Sequence, residues 1–528
     1  MKIVGFQSGH DVSYCVLENG IPIIHEELER FTRTKMEYGD GLKFFFERYS
    51  KFDNINYFTF GNLALGNITP SSRYQEACWG KTYHDKMIQI LAKNGGEYFE
   101  FGHHLSHASN AFYTSNFERA LIISVDGGGL EEGLVPSALT IDEGIGTKIK
   151  RIRIFDVKQL SLGRIYNKAT KHIFGLSVGP PRGDQAGTVM AMAALGVPKY
   201  RDLFNDIDGN VAELLRLTRL SEQEKFNVAS SLQLFTEQAF YAYIKGYIKQ
   251  TSHENICLSG GVSLNSAMVG KIKKWFPQIK NVFCDPVPYD AGLALGSARY
   301  LWHHVLGNPR INGVKNYVKN MNPYLGRVYT RKDIKHACNR YKDHILVTKA
   351  TDRVVLAKLN DQKIVSVFGG GSESGRRALG NRSIVADPRN SQMKAMINEK
   401  VKHRQWFRPF APSILEEKVD EWFEENYDSP YMSFAVKFKQ EVREKVPAVV
   451  HFDGTGRLQT VNKNLSPWYH TFIRKWEKLS GVPILLNTSF NDSEPIVESP
   501  QDALVCFLKT EIDYVYFFDF GILVEKKK

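Results

Sequence analysis

The chain has 528 residues, 43% of them hydrophobic and 24% charged. That balance excludes an intrinsically disordered protein, which lacks apolar residues to bury, and the length suggests about two to four domains. The net charge of +12 is no basic tail, because residues 331–528 hold 32 Lys+Arg against 26 Asp+Glu, half of the excess. A charge so spread permits an anionic partner without identifying one.

No run approaches the ~18 apolar residues of a membrane span. The start, Met1-Lys2-Ile3-Val4-Gly5, turns polar by Gln7 with no apolar signal region, so a cytoplasmic location is expected. Six cysteines (15, 78, 257, 284, 338 and 506) form no CxxC pair and read as free thiols.

In chain order, Lys2–Phe6 reads as a strand followed by the turn Ser8-Gly9-His10-Asp11. Ser13–Leu17 is a second strand, and Asn19-Gly20 is a hairpin signal before Ile21–Ile24. The strand-then-glycine pattern returns at Ala120–Val125 before Asp126-Gly127-Gly128-Gly129. It returns again at Asn255–Ser259 before Gly260-Gly261. Ser221–Ile248 has a helical pattern. These first ~300 residues read as α/β with two sheet-based lobes. Periodicity fades around 308–313 and 320–323, which marks a linker, and a new α/β section runs from near Ile345 to the end. No internal repeat is visible, and Glu525–Lys528 reads as a solvated tail.

His103 and His107 are four apart, which on a helix puts both imidazoles on one face, positioned for a divalent metal. The spacing alone also suits a surface or capping role. Asp126, at a strand end 19 residues later, favours the metal reading. Gly127, Gly128 and Gly129 suit a phosphate-binding turn, and Gly260, Gly261 and Asn265 suit a nucleotide's base or ribose. Each turn alone is also a simple tight loop. As a set they are typical of the actin, sugar kinase and heat-shock ATPase architecture.

Longer ordered stretches carry a resemblance. They are SGHD, EELERFTRTK, HHLSHA, SVDGGG, GGVSLN and PYDAGLALGSA, then RRALGNRSIVADPR, VKHRQWFRPFAPSI, GTGRLQTV and LNTSFN. Together they resemble the O-carbamoyltransferases of nodulation-factor and antibiotic biosynthesis. The resemblance implies a two-lobed ASKHA (actin-like) domain over 1–325, a linker over 326–344 and a YrdC-like α/β domain over 345–528. It implies that the C-terminal domain makes carbamoyl adenylate from carbamoyl phosphate and ATP. Transfer to an acceptor hydroxyl then occurs in the first domain with a divalent metal, iron(II) ahead of Mg or Mn.

Carried over by residue, the resemblance gives His103, His107, Asp126 and Asp290 as metal ligands, Asp290 by resemblance alone. It gives His10 as the base that deprotonates the acceptor. Arg377, Lys402, Arg408 and Arg457 would bind carbamoyl phosphate and nucleotide, with Asn487 and Ser489 adding neutral hydrogen bonds. Lys402 and Arg457 are also expected to assist catalysis. Arginine forks suit phosphate. Arg404 is less clearly assigned, with Arg382 or Arg408 as substitutes.

Two departures stand out. Arg376 replaces a proline and is expected to compensate for an arginine missing from the Gly369–Gly371 run. Ala186-Gly187-Thr188 replaces Glu-Gly-Lys near the acceptor or nucleotide. The acceptor is open: 5-hydroxymethylcytosine in DNA, as for some viral members, or a sugar, antibiotic or other small metabolite. For DNA, Lys148–Arg153 and Lys271–Lys274 would meet phosphates, and Trp275 and Phe276 would stack on a base. The rivals are an ASKHA-fold kinase or ATPase and a non-catalytic nucleotide-binding protein. A homodimer is compatible with all of these.

Overall fold

The computed structural model describes residues 1–62, 81–159, 161–177, 183–205, 221–311 and 314–527. Cys78, Asn312, Gly313 and Lys528 lie outside them. Among the described residues the strands form three sheets.

The first sheet holds β1 (Lys2–Gln7), β2 (Ser13–Glu18), β3 (Ile21–Glu27), β4 (Ile55–Phe60) and β5 (Glu97–Glu100). Its spatial order is β3-β2-β1-β4-β5. β1, β2 and β3 are an antiparallel meander, and β4 and β5 continue parallel to β1. Asn19 and Gly20 both have positive φ, the backbone a tight two-residue hairpin requires.

The second sheet holds β6 (Arg119–Glu131), β7 (Val135–Ile145), β8 (Lys148–Phe155), β9 (Asn255–Ser259) and β10 (Asn281–Cys284). Its order, read from β8, is β8-β7-β6-β9-β10, again a meander followed by two parallel strands. The repeat missing from the sequence is therefore present as topology. Apolar residues interchange freely on a buried sheet, so the shared plan leaves no matching letters. This pair of equivalent lobes is the α/β, actin-like arrangement that the resemblance implies.

The third sheet comes from β11 (Ile345–Lys349), β12 (Val365–Phe368), β13 (Arg382–Ala386), β14 (Ala411–Leu415) and β15 (Phe434–Lys437). β16 (Thr455–Val461), β17 (Ile484–Ser489), β18 (Tyr514–Phe517) and β19 (Ile522–Lys526) complete it. The order is β11-β19-β18-β12-β13-β17-β14-β16-β15. One buried apolar cluster runs from Leu121, Ile123 and Leu258 of the second sheet into Val365, Ile384 and Leu485 of the third. The two sheets thus share a core rather than being strung on a tether.

Two expectations need correction. The 326–344 stretch is not a bare linker, because Arg331–Arg340 is an α-helix opened by a Thr330–Asp333 capping box. Its Ile334, Ala337 and Cys338 are buried in that same cluster. The C-terminal lysines are not wholly a tail, since β19 extends to Lys526 and pairs with both β11 and β18. The helix read from Ser221 is Glu222–Gln250, with the Ser221 hydroxyl accepting from Glu224 N at 3.3 Å as its cap. The five described cysteines are free and buried. No helix among the described residues is long and apolar enough to cross a membrane.

Candidate active site

The helix His103–Thr114 begins at Gly102 and is buried along its whole length. Its first turns bring His103 and His107 against Asp126, where β6 bulges between Val125 and Gly129. Asp290 opens the turn Asp290–Gly292 that leads into the helix Leu293–Tyr300. His107 Nε2 lies 3.0 Å from Asp126 Oδ2 and 3.7 Å from Asp290 Oδ1. His103 Nε2 lies 3.7 and 3.8 Å from the same two atoms.

These side chains fit a divalent cation. Four ligand atoms about 2.1 Å from a tetrahedral centre sit about 3.4 Å apart, and the observed spacings bracket that value. Both imidazoles are buried, and neither Nε2 makes an aligned hydrogen bond, although His107 Nε2 lies at ion-pair distance from Asp126. A buried polar nitrogen left so is costly unless something completes it. Two imidazoles with two carboxylates suit a first-row metal. Burial alone would raise the Asp126 carboxyl, but His103 and His107 hold it well below the usual range. Burial would likewise lower His107, but Asp126 and Asp290 push it up to about 10. A bound cation opposes that last shift.

The glycine turns serve this carboxylate. Gly127 N donates to Asp126 Oδ1 at 2.6 Å and Gly261 N to Oδ2 at 3.1 Å. Gly260 has φ 84 and lies against Val125, where a Cβ would fall 2.1 Å from the carbonyl oxygen. Gly129 pairs with Ser137 in the hairpin. The turn at Gly127–Gly129 is thus a bulge within β6. Asn265 caps Ser266–Val269 and exchanges hydrogen bonds with Gln233, at 2.9 and 3.0 Å.

His10 stands beside the metal-type cluster with its side chain 44% exposed. Its Nε2 is 3.4 Å from Asp290 Oδ2, and its Nδ1 is 3.1 Å from Asp11 Oδ2. Asp290, then Asp11, raise it to about 9; a cation held by Asp290 opposes the larger of these two effects and returns the imidazole toward the neutral form a base needs.

A second constellation is cationic. Arg377, Arg404, Arg408 and Arg457 have no carboxylate within ion-pair distance among the described residues. Burial and then the repulsion of Arg376 push Arg377 down to about 10. Burial and Arg377 do the same to Arg408. Burial, Arg377 and Arg408 lower Arg457 far more. A guanidinium does not deprotonate in practice, so crowded, uncompensated arginines are relieved by an anion.

Two family models match most of the chain. The "Carbamoyltransferase N-terminus" model matches residues 64–217 and 202–299, and the "Carbamoyltransferase C-terminus" model matches 356–524. This chain belongs to the carbamoyltransferase family. An uncharacterized protein of Synechocystis sp. is 30% identical over 97% of this chain and 94% of its own. Nodulation protein NolO of Bradyrhizobium diazoefficiens is 33% identical over 78% and 76%. Nodulation protein NolNO of Sinorhizobium fredii is 35% identical over 78% of this chain and 62% of its own. Among solved structures, HypF of T. kodakarensis covers 58% of this chain and 48% of its own, with a TM-score of 0.39 and 15% identity.

Three expected groups in this carbamoyltransferase are engaged within the protein. Lys402 is buried, and its ammonium donates to Ser489 O, Asn491 O (2.8 Å) and Asn491 Oδ1 (2.6 Å), so it ties down the Ser489–Asn491 loop. The Ser489 hydroxyl donates to Asn491 Oδ1 at 2.7 Å. Asn487 Nδ2 donates to Ser413 and Gln459, while its Oδ1 has no partner. Arg382 is not a substitute for Arg404: it is fully buried, donates to Gly369 O at 2.6 Å and lies over Phe368.

Other contacts surfaced only in three dimensions. Lys35 Nζ reaches Ser493 O at 2.7 Å, Arg33 reaches Ile496 O at 2.7 Å, and Arg30 reaches Glu373 O at 3.2 Å. The RFTRTK stretch therefore grips the C-terminal half. A Cβ on Gly375 would fall 2.2 Å from Pro286 O. The segment carrying Arg377 thus abuts the segment carrying Asp290. No sequence spacing signals contacts across such separations.

Proposed function

We propose that this carbamoyltransferase works in two steps at two adjoining sites, and the uncompensated arginine cluster carries the reading. Arg377, Arg408 and Arg457 would neutralise the phosphates of carbamoyl phosphate and ATP. Atom balance requires one water. Hydrolysis of carbamoyl phosphate releases inorganic phosphate and carbamate. A carbamate oxygen then attacks the α-phosphorus of ATP, and pyrophosphate leaves, giving carbamoyl adenylate. Lys402 contributes by holding the Ser489–Asn491 loop in place.

In the second step the acceptor hydroxyl attacks the carbamoyl carbon. Its proton passes to His10, and AMP departs with the C–O bonding pair. A divalent cation held by His103, His107, Asp126 and Asp290, for which we propose iron(II), supplies Lewis acidity at this position. The close packing of Gly375 on Pro286 supports a short path between the sites.

For the acceptor we favour a small, sugar-like metabolite over DNA. Most cations proposed for DNA phosphates are engaged internally. Arg151 is paired with Asp142 and Glu131, and Lys271 with Glu237. Lys148 donates to His304 O and Lys273 to Asn426 O. Phe276 is buried and stacked on Tyr241, with Trp275 edge-on to the same ring.

Product analysis tests the chemistry. AMP, pyrophosphate and inorganic phosphate should appear only with both carbamoyl phosphate and ATP present. ADP alone would favour the kinase reading. Mass spectrometry of a sugar panel beside hydroxymethylated DNA tests the acceptor, and a carbamoylated nucleoside would overturn the metabolite choice.

A further inference from the structure

The arginine that replaces the family's proline does not join the phosphate cluster. Arg376 points at the first lobe instead. Its Nη2 donates to Asp11 Oδ1 at 2.5 Å, and its guanidinium lies 4.1 Å over the Tyr289 ring, beside Asp290 in sequence. The other oxygen of Asp11 meets His10 Nδ1 at 3.1 Å. One buried carboxylate is therefore shared between an arginine of the C-terminal half and the histidine at the transfer site.

Two features show that the surroundings enforce this arrangement. Asp11 is a non-glycine residue in the left-handed region, with φ 54. That conformation costs free energy and persists where neighbours over-determine it. The segment delivering Arg376 is also clamped: Gly375 N donates to Glu27 Oε1 at 2.7 Å, and Arg30 donates to both Glu373 O and Gly375 O. Gly375 itself has φ 91, which turns the next residue toward the lobe.

We infer that Arg376 is a positioning residue for transfer: through Asp11 it orients His10, so the base is aimed only when the C-terminal segment is docked. This rests on His10 being the base. The neighbouring Arg377 serves the phosphate cluster, so two consecutive arginines face two different steps. An oriented base is worth far more than one free to rotate, and outer partners that orient such groups typically contribute about 10–100-fold.

The test is a double-mutant cycle on the full-length, metal-loaded enzyme with Arg376→Met and Asp11→Asn. Each single variant should lower kcat for carbamoyl transfer about 10–100-fold. The double variant should be no slower than the slower single. Carbamoyl-phosphate-dependent pyrophosphate release and the KM for carbamoyl phosphate should change less than about threefold, which a general structural defect would not allow. Arg376→Lys keeps the charge and should recover part of the rate, and it serves in the cycle if Arg376→Met fails to fold. Multiplicative losses in the double variant, or equal losses in both steps, would overturn the inference while leaving the base in place. His10→Ala is measured alongside. If it transfers normally, the base reading and the inference fall together.

Discussion

Gly129 lies flat against the ring of His103, where a β-carbon would fall 2.3 Å from Cγ. The bulge in β6 thus seats both a carboxylate and the histidine facing it. Gly129→Ala should push the His103 ring off its position without opening the core. We expect metal content after purification to drop about tenfold or more, as for lost support of a ligand, with little change in far-ultraviolet circular dichroism. Wild-type metal stoichiometry in this variant would contradict the ligand assignment.

The arginine cluster predicts an unusual stability pattern. Arg457 is a half-buried cation without a carboxylate partner, and such a charge destabilises the ligand-free fold. Arg457→Met should therefore fold as stably as wild type, or gain about 1 kcal/mol, while losing pyrophosphate release. Wild type should gain about 2.7 kcal/mol at a phosphate concentration one hundred times Kd. The variant should gain far less. Thermal melts across a phosphate titration measure both, and equal phosphate shifts would remove Arg457 from the site.

Asp285 gives the molecule a pH signature apart from turnover. Its buried carboxylate accepts from Asn110 and Ser259, both at 2.8 Å. Burial raises it from 3.8 to about 6, with the Ser259 hydrogen bond, the His107 charge and the Val287 amide pulling partly back. A carboxyl raised in the folded state stabilises the fold while protonated. That contribution is complete below about pH 4 and lost as pH rises through 6. Asp285→Asn should thus be more stable than wild type at pH 7.5, by at most about 3 kcal/mol. The two should converge toward pH 4. Denaturation midpoints at both pH values decide it, and a difference independent of pH contradicts it.

The sequence was most readable where chemistry and local spacing coincide. His103 and His107 follow from helical periodicity, and Asn19-Gly20 follows from the φ > 0 its turn needs. Strand β9 has the bounds read for it. The glycines of Gly127–Gly129 were legible as backbone in close approach, but what they approach was not. Their neighbours are the Asp126 carboxylate and the His103 ring, brought together by strand pairing. Lys402 shows the same limit: a lysine in a basic motif looks like a phosphate ligand until its partners Ser489 and Asn491, nearly ninety residues on, are seen. Arg376 was visible as a departure, yet its partner Asp11 lies 365 positions away. Side-chain destinations over such distances are set by tertiary packing, which residue spacing does not encode.

In the proposed scheme adenylate formation and transfer are separate, with His107 needed only for the second. The direct measurement is carbamoyl-phosphate-dependent pyrophosphate release by His107→Ala, set beside carbamoylation of an acceptor by the same preparation. Release should stay close to the wild-type rate with carbamoylation abolished. Loss of pyrophosphate release together with carbamoylation, in a folded variant, would contradict the scheme.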